Sequence, residues 1–113
     1  MNNIILYPSK KSLNRIKIIG DIETVLDDGV ITLPTGVTGR LEVIFINASN
    51  AVVEWGTVII SADGSGEIVN CKDANLHLAD DDGFYCVYDG GTGAVIKPRV
   101  GAPIKILWEF HCG

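Results

Sequence analysis

Arg40-Leu41-Glu42-Val43-Ile44-Phe45-Ile46-Asn47 alternates with period two. Leu41, Val43 and Phe45 share one face of an extended chain, because successive side chains of a strand point to opposite sides. Ile44 and Ile46 fall on the other face, so the far end of this strand is read as covered on both sides. Ile104-Lys105-Ile106-Leu107-Trp108-Glu109-Phe110 repeats the pattern, with Ile104, Ile106, Trp108 and Phe110 on one side and Lys105 and Glu109 on the other. Asn14-Arg15-Ile16-Lys17-Ile18 alternates too and places Ile16 and Ile18 inward. Shorter runs rich in Val, Ile and aromatics, at residues 30–33, 52–55, 58–60, 67–70, 76–78, 84–88 and 94–97, predict further strands.

Turn chemistry separates these runs: Asp27-Asp28-Gly29, Pro34-Thr35-Gly36, Asn47-Ala48-Ser49-Asn50, Asp63-Gly64-Ser65-Gly66, Asp80-Asp81-Asp82-Gly83 and Asp89-Gly90-Gly91. Gly supplies positive φ there, and Asp and Asn bond back to their own backbone. No window keeps an i, i+3, i+4, i+7 pattern long enough for a helix, residues 9–13 coming nearest. The expected fold is all-β: an antiparallel β-sandwich or barrel-like single domain over residues 12–113. An N-terminal arm over residues 1–11 precedes it, because Pro8 and the Lys10-Lys11 pair suit a core poorly.

A chain of 113 residues buries about 65% of its unfolded surface, enough for a core without metal or disulfide staples. Nine Lys and Arg against fourteen Asp and Glu leave a net charge of −5. A nucleic-acid module carries a basic face, so no nucleic-acid partner is expected. No apolar run approaches the roughly 20 residues that span a bilayer as a helix, and no membrane partner is expected. Cys71, Cys86 and Cys112 are odd in number and widely spaced, with no CxxC pair for zinc or redox work. The start Met1-Asn2-Asn3-Ile4-Ile5-Leu6-Tyr7-Pro8 lacks the basic opening and long apolar stretch of a signal peptide. The expectation is a protein made in a reducing cytoplasm, not secreted, with free and mostly buried thiols.

Few residues point to chemistry. His77 and His111 lie far apart, and neither has a companion at i+2 or i+4, so no metal site is expected. His111 beside Cys112 makes a thiolate–imidazole pair only if both side chains converge. Asp80-Asp81-Asp82-Gly83 offers hard oxygen donors to calcium, but Leu78 occupies the first acidic position of an EF-hand register and no closing glutamate follows. A solvated acidic turn is the simpler reading. Gly90-Gly91-Thr92-Gly93 lacks the lysine and helix of a phosphate loop and reads as a hairpin turn. No G-x-S-x-G elbow occurs. No cofactor and no catalytic residue is assigned. Trp55, Tyr85 and Tyr88 are the candidates for stacking on sugar faces, against the alternative of core or interface packing.

Residues 30–88 resemble a β-module that recurs in bacteriophage tail fibres and related virion proteins. The resemblance rests on Val30-Ile31-Thr32-Leu33-Pro34, on Gly39-Arg40-Leu41-Glu42-Val43-Ile44-Phe45-Ile46-Asn47-Ala48-Ser49, and on Leu78-Ala79-Asp80-Asp81-Asp82-Gly83-Phe84-Tyr85-Cys86-Val87-Tyr88. Phe84 or Tyr85 stands where that module has tryptophan, and residues 104–110 fall outside it. The resemblance implies a structural or receptor-binding element of a virion, in homotrimers, with no catalytic residues to transfer. A domain of this size without a stalk is closer to a capsid decoration or head–tail accessory protein than to a whole fibre.

The function expected is therefore non-enzymatic: a virion structural protein acting through protein–protein assembly, with a carbohydrate-binding receptor module as the alternative. Self-association is also expected from the residues, since Ile44, Ile46, Leu107 and Val87 oppose faces that already carry apolar side chains. The arm residues Tyr7, Pro8, Lys10 and Lys11 are the candidate contact with another virion component such as the major capsid protein. Folding should need neither disulfide nor metal, so reductant and chelator should each leave the cooperative melt unchanged. A melt lost on either addition would overturn that reading.

Overall fold

A computed structural model of the chain describes residues 17–91 and 93–113. The arm residues Tyr7, Pro8, Lys10 and Lys11, the helix candidate at 9–13 and the Asn14–Ile16 start of the first alternating run lie outside the described residues. Nine strands follow in order among the described residues: β1 (Lys17–Val25), β2 (Ile31–Thr32), β3 (Gly39–Ile46), β4 (Val52–Ile60), β5 (Gly66–Cys71), β6 (Leu76–His77), β7 (Tyr85–Asp89), β8 (Ala94–Pro98) and β9 (Ile104–Cys112). They form a five-stranded sheet, β1-β9-β3-β4-β5, and a four-stranded sheet, β2-β8-β7-β6. Every pairing is antiparallel except β6 with β7. The two sheets pack face to face as a single-domain β-sandwich.

Alternation builds the core. Leu41, Val43 and Phe45 of β3, Ile104, Ile106, Trp108 and Phe110 of β9, and Val58 and Ile60 of β4 all point into the sandwich and are buried. Ile31, Leu76, Tyr85, Val87, Ala94 and Ile96 meet them from the four-stranded sheet. The Phe45 and Tyr85 rings lie 4.6 Å apart across the layers. Val87 is thus a core residue, 2% exposed, and not part of an apolar surplus. Gly56 interrupts the apolar side chains of β4 because a Cβ there would come within 2.4 Å of the Leu76 side chain. The two runs at 52–55 and 58–60 are consequently one strand that passes through this glycine.

β1 differs from expectation. Ile18 points outward, 62% exposed, because Ile18 pairs with His111 of β9, which is itself outward. The strand also continues through Gly20 and Asp21 to Val25. Glu23 on its inner side accepts a hydrogen bond from Trp108 Nε1 at 3.1 Å, tying the edge strand to β9.

One buried carboxylate organises the passage between the sheets. Glu54 is fully buried and points inward beside Phe45. Its Oε1 accepts from the backbone N–H of Trp55 at 2.9 Å, Lys72 at 2.8 Å and Asp73 at 3.1 Å. Its Oε2 accepts from Asp73 at 3.2 Å and Asn75 at 2.8 Å. Residues 72–75 carry the chain from β5 of one sheet to β6 of the other, with Ala74 at a φ of 59°. The carboxylate thus gathers the N–H groups of Lys72, Asp73 and Asn75 from this irregular connection. Its charge adds to burial in pushing the Tyr85 phenol up.

Glu54→Gln exchanges one acceptor oxygen for an N–H2 group facing backbone donors. We expect it to lower the unfolding free energy by about 3 kcal/mol, read as a shifted denaturant midpoint. A change below about 0.5 kcal/mol would show that the crossover holds without the anion.

Candidate binding face

The outer faces of the two sheets are built differently. On the four-stranded sheet, the chain covers itself. Residues 78–84 fold over Cys86, whose Sγ lies 3.6 Å from the Asp81 carbonyl and whose thiol burial pushes up. The acidic turn supplies the fastening. Arg99 reaches Asp28 Oδ1 at 2.9 Å through Nε, Asp80 Oδ1 at 3.0 Å through Nη1 and Asp82 Oδ1 at 2.6 Å through Nη2. Lys97 Nζ lies 3.2 Å from Asp80. Asp81 bonds His77 Nδ1 at 2.9 Å, and the His77 ring stacks on Phe84 at 3.9 Å. The three aspartates read from sequence as a candidate calcium turn therefore have protein cations and a histidine as partners. Among the described residues no group of three or more His, Cys, Asp or Glu is placed to hold a metal.

The outer face of the five-stranded sheet has no such cover among the described residues. Strand register lines Ile22, Leu107, Ile44 and Trp55 in one row across β1, β9, β3 and β4. Ile22 is 64%, Trp55 41% and Ile44 37% exposed. Ile44 was expected to be covered on this side and in the single chain is not. The next row is polar: Gly20, Glu109, Glu42, Thr57 and Asn70. Together the rows floor a groove of about 680 Å3. Gly20 opens its end, since a Cβ there would meet the Trp108 carbonyl at 2.5 Å.

Glu42 stands directly opposite Glu109, an unfavourable like-charge pair. Each carboxylate has a partner two residues along its own strand, Glu42 in Arg40 Nε at 3.1 Å and Glu109 in His111 Nε2 at 3.0 Å. Alternation sends Cys112 to the core and leaves His111 on this outer face, so thiol and imidazole do not converge.

Of the three aromatics read as sugar-stacking candidates, only Trp55 presents itself on this face. Tyr85 is buried against Phe45. Tyr88 is half-buried on β7, in the other sheet. Ile22 and the alignment of Trp55 with Leu107 across Ile44 escape a sequence reading, because both depend on the strand order β1-β9-β3-β4. The available signal was Leu107, an apolar residue on the polar side of β9. No protein-family model, curated protein or solved structure matches the chain.

The Arg99 guanidinium bonded to Asp80 holds that carboxyl below the ordinary aspartate range, against the opposing effect of burial and with help from Lys97. A carboxylate with a depressed folded value adds stability that is fully present above its unfolded value, about 3.9, and lost as pH falls through the folded value. The melting temperature should therefore drop below about pH 4. Asp80→Asn should lower the neutral melting temperature and flatten this acid limb. An acid limb that Asp80→Asn leaves unaltered would assign the response to other carboxylates.

Proposed function

We propose that the chain is a non-enzymatic assembly protein whose contact surface is the outer face of the five-stranded sheet. The observation that carries the reading is the apolar row Ile22–Leu107–Ile44–Trp55 across four strands, exposed at Ile22, Ile44 and Trp55 and half-buried at Leu107. Scattered surface apolar residues need no explanation, but a contiguous row beside a polar one is the composition of an interface. Burying on the order of 300 Å2 of it contributes about 7 kcal/mol. Association entropy of similar size opposes that gain, so the face alone supports modest affinity and a larger assembly adds to it.

The particle proposed is a bacteriophage virion, on the strength of the resemblance over residues 30–88. The role is that of a capsid-decoration or head–tail or fibre accessory protein that also associates with itself. The arm residues Tyr7, Pro8, Lys10 and Lys11 are the proposed second contact, toward another virion protein. A second reading, carbohydrate binding, is favoured by one feature: Trp55 lies beside Thr57, Asn70 and Glu42, an aromatic with hydroxyl, amide and carboxylate neighbours.

Leu107→Lys and Trp55→Ala should leave the melt nearly unchanged, because both side chains lie outside the core, and should each weaken attachment to the particle at least tenfold by co-sedimentation. Removing residues 1–11 should abolish attachment to the particle and spare the oligomer. Retained association in both face variants would overturn the assembly reading. Glycan binding lost only in Trp55→Ala would establish the carbohydrate reading in its place.

A further inference from the structure

β1 is an edge strand of nine residues whose register with β9 runs unbroken from Lys17 to Val25. Natural sheets blunt such edges with proline, bulges, short strands or charged side chains, and of these β1 carries only the charges, Lys17, Asp21 and Glu23. The opposite edge shows the bulge: β5 pairs with β4 through a register shift at Thr57/Val58. β1 contains no proline and no register shift, and it exposes Ile18, Ile19 and Ile22. No described strand pairs with its outer side.

We propose that β1 pairs antiparallel with β1 of a second copy about a two-fold axis at Gly20, merging two five-stranded sheets into one ten-stranded sheet. The inference rests on the self-association proposed above and names its partner. A two-fold axis normal to the sheet keeps outer faces outer, so the axis must pass through a residue. An axis at Asp21 sets Asp21 against itself, one at Ile22 sets Asp21 against Glu23, and one at Glu23 sets Glu23 against itself. An axis at Ile19 sets Ile18 against Gly20, which has no side chain to cover it. The Gly20 axis pairs Lys17 to Glu23 and opposes no carboxylate to another.

In that register Lys17 faces Glu23 of the second copy, twice over, and Ile18 faces Ile22, twice over. Opposite-charge and apolar cross-strand pairs are both favourable. Ile18 of the second copy extends the row Trp55–Ile44–Leu107–Ile22 by one strand. Asp21 competes locally, since its carboxylate accepts the Ile22 N–H at 2.8 Å. Replacing an exposed side-chain acceptor by a backbone carbonyl is close to neutral. A head-to-tail ring is disfavoured: strands alternate in direction across the sheet, so β1 and β5 run the same way and would meet as a parallel edge pair. Self-pairing gives a dimer, not the trimer expected from the resemblance.

The test uses the full chain with Cys71→Ala, leaving only the buried thiols Cys86 and Cys112. Ile18→Cys and Ile22→Cys variants are oxidised separately and mixed. Directly opposed positions bring Cα atoms within disulfide range. The mixture should therefore give at least tenfold more covalent dimer than either variant alone, and the unmodified chain should sediment as a dimer. An oligomer without the mixed cross-link, or a trimer, overturns the edge pairing and leaves the assembly reading standing. A monomer at about 100 µM, about a hundredfold above a Kd of 1 µM, overturns both the edge pairing and self-association.

Discussion

The Glu54 carboxylate is the constraint on which the sandwich depends. A carboxylate without water is stable only where donors converge on it, and here the donors belong to the segment that crosses between the sheets. The anion therefore fixes where β6 begins, which in turn seats Leu76 against Gly56 and lets the Asn75 carbonyl receive the Tyr85 N–H at 3.0 Å. Both layers are positioned from one side chain. The same residue reaches the binding face: its Oε1 holds the Trp55 N–H, and strand alternation then sends the Trp55 ring outward. Core, crossover and exposed aromatic are three consequences of one buried charge.

The contrast between the outer faces follows from how the loops are spent. The segment between β6 and β7 is long enough to fold back, and its aspartates find Arg99, Lys97 and His77, so the four-stranded sheet is closed by its own chain. The segment between β3 and β4 is a tight turn in which Asn47 Oδ1 accepts the Ser49 and Ala51 N–H groups. That turn reverses the chain within the sheet and covers nothing. The described connections of the larger sheet leave its outer face open, and that is where the apolar row lies.

The legible parts of the fold were those decided by local alternation. β3 and β9 carry their core residues at every second position and could be read directly, as could the Asn47 and Asp63 turns, whose side chains bond two residues ahead. β1 was legible only in part, because at an edge neither face is fully buried and Gly20 and Asp21 imitate a turn. The division of β4 into two runs had the same origin: Gly56 reads as a break until Leu76 is placed against it. Glu54 carried no signal at all, since a glutamate between Val53 and Trp55 alternates like any exposed residue. Its donors lie up to 21 residues away. The binding face was half legible. Ile44 and Leu107 stood out as apolar residues on polar sides, but their adjacency to Trp55 and Ile22 is a property of strand order, which no local pattern encodes.

An apolar side chain contributes to folding only by leaving water, and Ile22, Ile44 and Trp55 do so poorly in the single chain. Their placement in one row, against the alternative of scattered positions, has a physical consequence. Scattered residues would each need a separate complementary contact, whereas a row can be covered by one flat surface. The polar row beside it, with Arg40 on Glu42 and His111 on Glu109, limits that surface to one direction. Gly20 ends the polar row at the sheet edge, where the Trp108 carbonyl leaves no room for a side chain. The face and the edge thus form one continuous surface, on which apolar area stays in contact with water in the single chain.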